Sequence, residues 1–98
     1  MATPESRVKA KVKTRLNELG VWHFSPVSNG MGVHGIPDII CCHDGRFVAL
    51  EVKAPGKRNN TTVLQDKQIM AIHKAGGAAV VVDDVSQLDY IFTKGPQS

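Results

Sequence analysis

Asp38, Glu51 and Lys53 are the residues whose types and spacing could do chemistry. Two acids and a lysine gathered at one place can hold a hard divalent cation and activate water beside it. Their gathering follows from the turn between them. His43-Asp44-Gly45-Arg46 separates two apolar runs, and Asp-Gly in that setting is the strongest short-range hairpin signal. A hairpin centred on Asp44-Gly45 pairs His43 with Arg46, which sets Asp38 opposite Glu51. Side chains alternate along a strand, so Lys53 shares a face with Glu51. Carboxylates facing across a strand pair repel each other. The arrangement makes sense if a cation lies between them, or if one of them keeps a proton.

The rest of the hairpin supplies the scaffold. Ile40 opposes Ala49 and Cys42 opposes Phe47 on the acid face, while Ile39, Cys41, Val48, Leu50 and Val52 fill the reverse face. Both faces are largely apolar, so a sheet covered by helices on each side is expected.

Ahead of the hairpin, Thr3-Pro4-Glu5 reads as a helix start, with Thr3 as N-cap and Pro4 at the first helical position. Val8, Val12, Leu16 and Leu19 then recur at helical spacing, and Gly20 ends the run. Glu5 extends the buried stripe toward one end. It is either a first-turn acid favoured by the helix dipole or a third acid aimed at Asp38 and Glu51. Arg7, Lys9, Lys11, Lys13 and Arg15 are five of the chain's twelve basic residues, with no acid among them until Glu18. They form a solvated face or a phosphate-contacting one. Residues 21–27 read as a first strand, and Pro26 places it at an edge or ends it.

Ser28 to Gly35 is a Gly-rich loop without the Gly-Lys-Ser/Thr of a phosphate loop. Its glycines suit close approach of backbone or substrate; His34 is a candidate base or phosphate contact, and Ser28 either contacts phosphate or merely terminates the strand. After the hairpin, Ala54 to Asn60 is a polar loop whose Lys57 and Arg58 lie near the acids. A helix is expected over 63–75, where Thr62 and Gln65 match a capping box. Gln65 also shares a face with Ile69 and Ile72, which turns it toward the sheet. Residues 78–82 read as a buried strand parallel to 47–53, reached by a helical crossover. Asp83-Asp84 then caps a short helix carrying Leu88, Ile91 and Phe92, a better reading than a pair of metal ligands.

The chain has 98 residues, room for one domain with a modest core. No segment offers the ~18 apolar residues of a membrane span, and the N-terminus lacks a signal peptide's apolar core. A net charge of +3 and a pI near 9.1 suit a polyanionic partner. Cys41-Cys42-His43 is not a zinc spacing, and the adjacent cysteines read as buried thiols in a reducing cytoplasm.

Gly35-Ile36-Pro37-Asp38 and, after a gap of twelve residues, Glu51-Val52-Lys53 resemble the Pro-Asp…(Asp/Glu)-x-Lys nuclease signature. The order helix, three-stranded meander, helix, strand is similar to that superfamily's core. Glu5, Ser28 before the Gly-rich loop, Glu51-Val52-Lys53-Ala54-Pro55-Gly56-Lys57 and Gln65 extend the likeness to the VRR-NUC family, including its small stand-alone viral and bacterial members.

The resemblance implies a restriction-endonuclease-like α/β fold: a mixed sheet flanked by helices, in the order α-β-β-β-α-β with a short C-terminal helix. It implies metal ligation by Glu5, Asp38, Glu51 and the Val52 carbonyl, with Lys53 positioning water and Gln65 supporting the site. Mg²⁺ or Mn²⁺ is the expected cofactor, and branched DNA such as a four-way junction, cut by a homodimer, the expected substrate. A nicking or flap-type nuclease and a catalytically idle nucleic-acid-binding module are the alternatives. DNA contact is expected from Lys9, Lys11, Lys13, Arg15, Ser28, Lys57 and Arg58. One departure stands out: many members carry basic residues just before Gly-x-Pro-Asp, where this chain has Met31, Val33 and His34.

Overall fold

The computed structural model describes residues 2–27 and 32–92. Its elements are α1 (Pro4–Glu18), β1 (Trp22–Phe24), β2 (Ile39–His43), β3 (Arg46–Val52), α2 (Val63–Lys74), β4 (Ala78–Val82), a 3₁₀ turn (Val85–Gln87) and α3 (Leu88–Ile91). The sheet order is β1-β2-β3-β4. The first three strands form an antiparallel meander, and β4 runs parallel to β3. This is the expected mixed sheet flanked by helices.

Local chemistry explains the elements. Thr3 Oγ1 accepts a hydrogen bond from the Ser6 amide and the Thr3 amide donates one to Ser6 Oγ, so α1 opens on a reciprocal cap. A cap of this kind is worth about 1 kcal/mol. At the other end Gly20 takes a φ of 70°, which a side chain would resist. The hairpin register is the one the Asp-Gly turn dictates, with His43 paired to Arg46 and Ile39 to Leu50. Asp44 and Gly45 both have positive φ, as a two-residue type I′ turn requires.

The two faces of the sheet are closed unequally. On the reverse face, Ile39, Cys41, Leu50, Val52 and Val82 are fully buried with Val12 and Leu16 of α1, and Leu88 and Phe92 seal the end. On the acid face α2 lies over β3 and β4 but buries none of its own residues completely. Trp22, Cys42 and Phe47 form one row across that face, and all three are exposed.

Two expectations need correction. The first strand spans only Trp22–Phe24, because Pro26 has no amide to continue the ladder with β2. Cys42 is exposed, unlike the buried Cys41, because α2 does not extend over the outer half of the acid face. Burial pushes the Cys41 thiol up to about 12, so it behaves as a core residue. Among the described residues, no helix is long and apolar enough to cross a membrane.

Candidate active site

The site lies where β2 begins and β3 ends. Ile39 pairs with Leu50, so Asp38 and Glu51 stand one step beyond the last paired residues, as the turn implies. Asp38 is fixed by the backbone: its Oδ2 accepts a 2.8 Å hydrogen bond from the Val52 amide. Its Oδ1 faces Lys9, whose Nζ is 3.2 Å away.

Glu51 is the one buried charged residue among those described, only 3% exposed. Its Oε2 accepts a 3.0 Å hydrogen bond from Gln65 Nε2 and lies 3.6 Å from Lys53 Nζ. Its Oε1 is buried with no hydrogen-bond partner among the described residues. Burial first, then the neighbouring charge of Asp38, pushes the Glu51 carboxyl up to about 8, against the opposing pull of Lys53. The direction of that shift favours one of the two conditions set by their register, a proton kept on Glu51 when no cation lies between the acids.

Lys53 is held as well as placed. Its Nζ donates to Gln65 Oε1 at 3.0 Å, and its amide donates to the Val82 carbonyl at 2.9 Å. Gln65 serves both roles that its sequence context allowed. Its Oε1 completes the cap of α2 by accepting from the Thr62 amide, while its two side-chain ends hold Lys53 and Glu51. Gly35 brings the preceding loop against this helix start. Its φ is 81°, and a Cβ there would collide with the backbone of Leu64 and Gln65. The Gly-Ile-Pro-Asp run thus seats Asp38 against the same turn of α2 that carries Gln65.

An unpartnered carboxylate oxygen beside a second carboxylate is a position a hard cation would take. Among the described residues no group of three or more His, Cys, Asp and Glu side chains converges to hold a metal. Glu5 is exposed in the first turn of α1 and does not join Asp38 and Glu51. Lys9, one turn further along, reaches Asp38 in its place. A cation here would draw on two carboxylates, the Val52 carbonyl and water, a ligand set that Mg²⁺ accepts.

The basic run of α1 divides. Lys9 and Lys13 line a cleft of about 500 Å³ with His34, Pro37 and Asp38. Lys11 and Arg15 lie on the opposite flank of the buried stripe, and Arg15 is engaged by Asp89 at 2.8 Å and Glu18 at 3.1 Å. Those two acids hold the Arg15 guanidinium above its ordinary range. Lys57 and Arg58 are on the exposed loop after Lys53, and Arg58 lies 3.6 Å from Asp83. Asp83 also anchors that loop by accepting from the Gly56 amide, while Asp84 caps the 3₁₀ turn. Ser28 and Met31 fall outside the described residues. Sequence reasoning marked Lys9 as a phosphate contact and missed its pairing with Asp38. The available signal was that Lys9 and Lys13 border the Val8-Val12-Leu16 stripe on a single side.

A mixed four-stranded sheet with an acid pair and a lysine at one end defines a restriction-endonuclease-like α/β domain. No family model and no curated protein matches the chain. One solved structure, described as a VRR_NUC domain, superposes with a TM-score of 0.70 and 26% identity, over 96% of this chain and 99% of that one. The fold and this likeness support a VRR-NUC domain assignment.

Proposed function

We propose that this chain is a Mg²⁺- or Mn²⁺-dependent endonuclease that hydrolyses DNA phosphodiester bonds, selective for four-way-junction-like structures. The observation that carries the reading is the buried, unpartnered Oε1 of Glu51 beside Asp38, with Lys53 on the same rim. The likeness to a structure described as a VRR_NUC domain supports a nuclease-type activity.

Asp38, Glu51 and the Val52 carbonyl would hold the ion. Bound there, the metal would lower the pKa of a water and neutralise charge developing on the phosphate. The chain's own groups do the rest. The Val52 amide keeps Asp38 from rotating, so Oδ1 stays on the cleft side, where Lys9 meets it. Gln65 holds Lys53 and Glu51 in fixed relation. Lys53 can orient the attacking water and donate to the oxyanion as it forms. Lys13, Lys57 and Arg58 would neutralise flanking phosphates without reading sequence.

A homodimer is part of the reading. The exposed row of Trp22, Cys42 and Phe47, flanked by Phe24, carries no charge on a chain of net +3. A second copy can meet this patch two-fold without like-charge repulsion, and a four-way junction has matching symmetry. Light scattering should give a dimer for the wild type and a monomer for Trp22→Ser; a wild-type monomer would remove the dimer. The free thiols of Cys41 and Cys42 suit a reducing cytoplasm.

Incubation with Mg²⁺ and linear, nicked, flapped and four-way DNAs tests the activity. Cleavage of the four-way DNA in preference to the others is expected. Preference for nicked or flapped DNA would move the assignment to those substrates. Binding without cleavage on every DNA would leave a nucleic-acid-binding module.

A further inference from the structure

We propose that Lys9 is an exchangeable counter-ion: it neutralises Asp38 before metal arrives and passes to a DNA phosphate once metal takes that oxygen. The proposal rests on the metal-site reading above and adds a residue that couples metal binding to DNA binding.

The two oxygens of Asp38 are used differently. Oδ2 is held by the rigid Val52 amide, at the end of a fully buried strand segment. Oδ1 is held only by Lys9, at 3.2 Å, on a side chain that remains 30% exposed. A part-exposed ion pair between a flexible lysine and a carboxylate is weak, so a divalent cation can displace it. The geometry differs at the neighbouring pair. Lys53 is pinned by Gln65 and only 12% exposed, so it has no comparable freedom to leave Glu51. The site thus holds one fixed cation and one movable one.

Lys9 also has somewhere to go. It lines the cleft that opens from Asp38 along α1, and Lys13 lines the same cleft one turn later. An ammonium on a four-carbon stem can swing into that cleft without any shift of the helix. A phosphate there would meet two lysines at helical spacing, next to the metal position. Lys9 would otherwise repel the incoming ion, so metal and phosphate each favour the displaced rotamer. Their binding is then mutually reinforcing, as linkage requires.

Mn²⁺ titration by calorimetry, without DNA, tests the first half on wild type, Lys9→Ala and Lys9→Met, the last retaining the apolar stem. Melting without metal confirms that each variant is folded. Removal of the competing charge should tighten Mn²⁺ binding by about fivefold, the upper end for such a pair. Equal or weaker binding in both variants would overturn the proposal while leaving the metal site intact. No Mn²⁺ binding by the wild type would defeat the metal-site reading and this proposal together.

The second half is read from the salt dependence of four-way DNA binding, in a Lys53→Ala background that suppresses cleavage. With Mn²⁺ present, Lys9→Ala should flatten the slope by about 0.9, and without metal it should leave the slope unchanged. An equal flattening in both conditions would make Lys9 a permanent phosphate ligand and overturn the exchange.

Discussion

The two faces of the sheet are built for different work. Behind it, Ile39, Cys41, Leu50 and Val52 are sealed against α1 and the C-terminal turn, with no polar side chain in the cluster. In front, on the α2 side, Trp22, Phe24 and Phe47 are 62%, 46% and 44% exposed, and the one buried acid of the described residues sits at the rim. A face that buries an acid with an unpartnered oxygen loses stability. The sealed face offsets that cost. The site can hold two acids side by side because the strands carrying them are anchored from behind.

The largest effect should come from breaking the sealed face. Leu50→Ala removes a fully buried side chain and should cost about 2–5 kcal/mol in unfolding free energy. Phe47→Ala, three residues earlier and half in solvent, should cost well under half of that. Chemical denaturation of both variants checks the contrast, and similar losses would erase the distinction between the faces.

Metal should act on the open face alone. Millimolar Mn²⁺ should raise stability by RT ln(1 + [Mn²⁺]/Kd), about 2.7 kcal/mol at a hundredfold excess over Kd. Glu51→Gln should lose most of that gain, whereas Val12→Ala, on the sealed side, should keep it. A melting temperature indifferent to Mn²⁺ in the wild type would count against a cation between Asp38 and Glu51.

A smaller effect sharpens the comparison through pH. The Glu51 carboxyl is pushed up to about 8 in the fold, from an ordinary 4.5. Between those values the folded chain holds a proton that the unfolded chain releases, so stability falls as pH rises from about 4.5 to 8. Both Glu51→Gln and saturating Mn²⁺ should flatten that part of the profile. A wild-type profile already flat there would show that Glu51 is ionised in the absence of metal.

Much of this was legible in the sequence where local rules decide. The Asp44-Gly45 turn set the register, which brought Asp38 and Glu51 together and put Ile39, Cys41, Val48, Leu50 and Val52 behind the sheet. Thr62 and Gln65 announced the cap of α2, and the same glutamine proved to bridge Lys53 and Glu51. What remained illegible depends on where one element stops relative to another. Glu5 and Lys9 are one turn apart on α1, and only the tertiary offset between helix and sheet decides which of them meets Asp38. Cys42 and Phe47 look like core residues until the limited reach of α2 is known. Arg15 looks like its neighbours Lys11 and Lys13 until Asp89, far along the chain, is folded against it.

The most direct test is single-turnover cleavage of a four-way DNA by wild type and Lys53→Ala at saturating Mg²⁺. If the pinned ammonium stabilises the attacking water or the oxyanion, its loss should slow cleavage by roughly 10² or more, while folding and DNA binding persist. Lys53→Arg should not restore the rate, because the guanidinium is planar and differently hydrated. Equal rates for wild type and Lys53→Ala would take Lys53 out of the chemistry and contradict the site assigned to this end of the sheet.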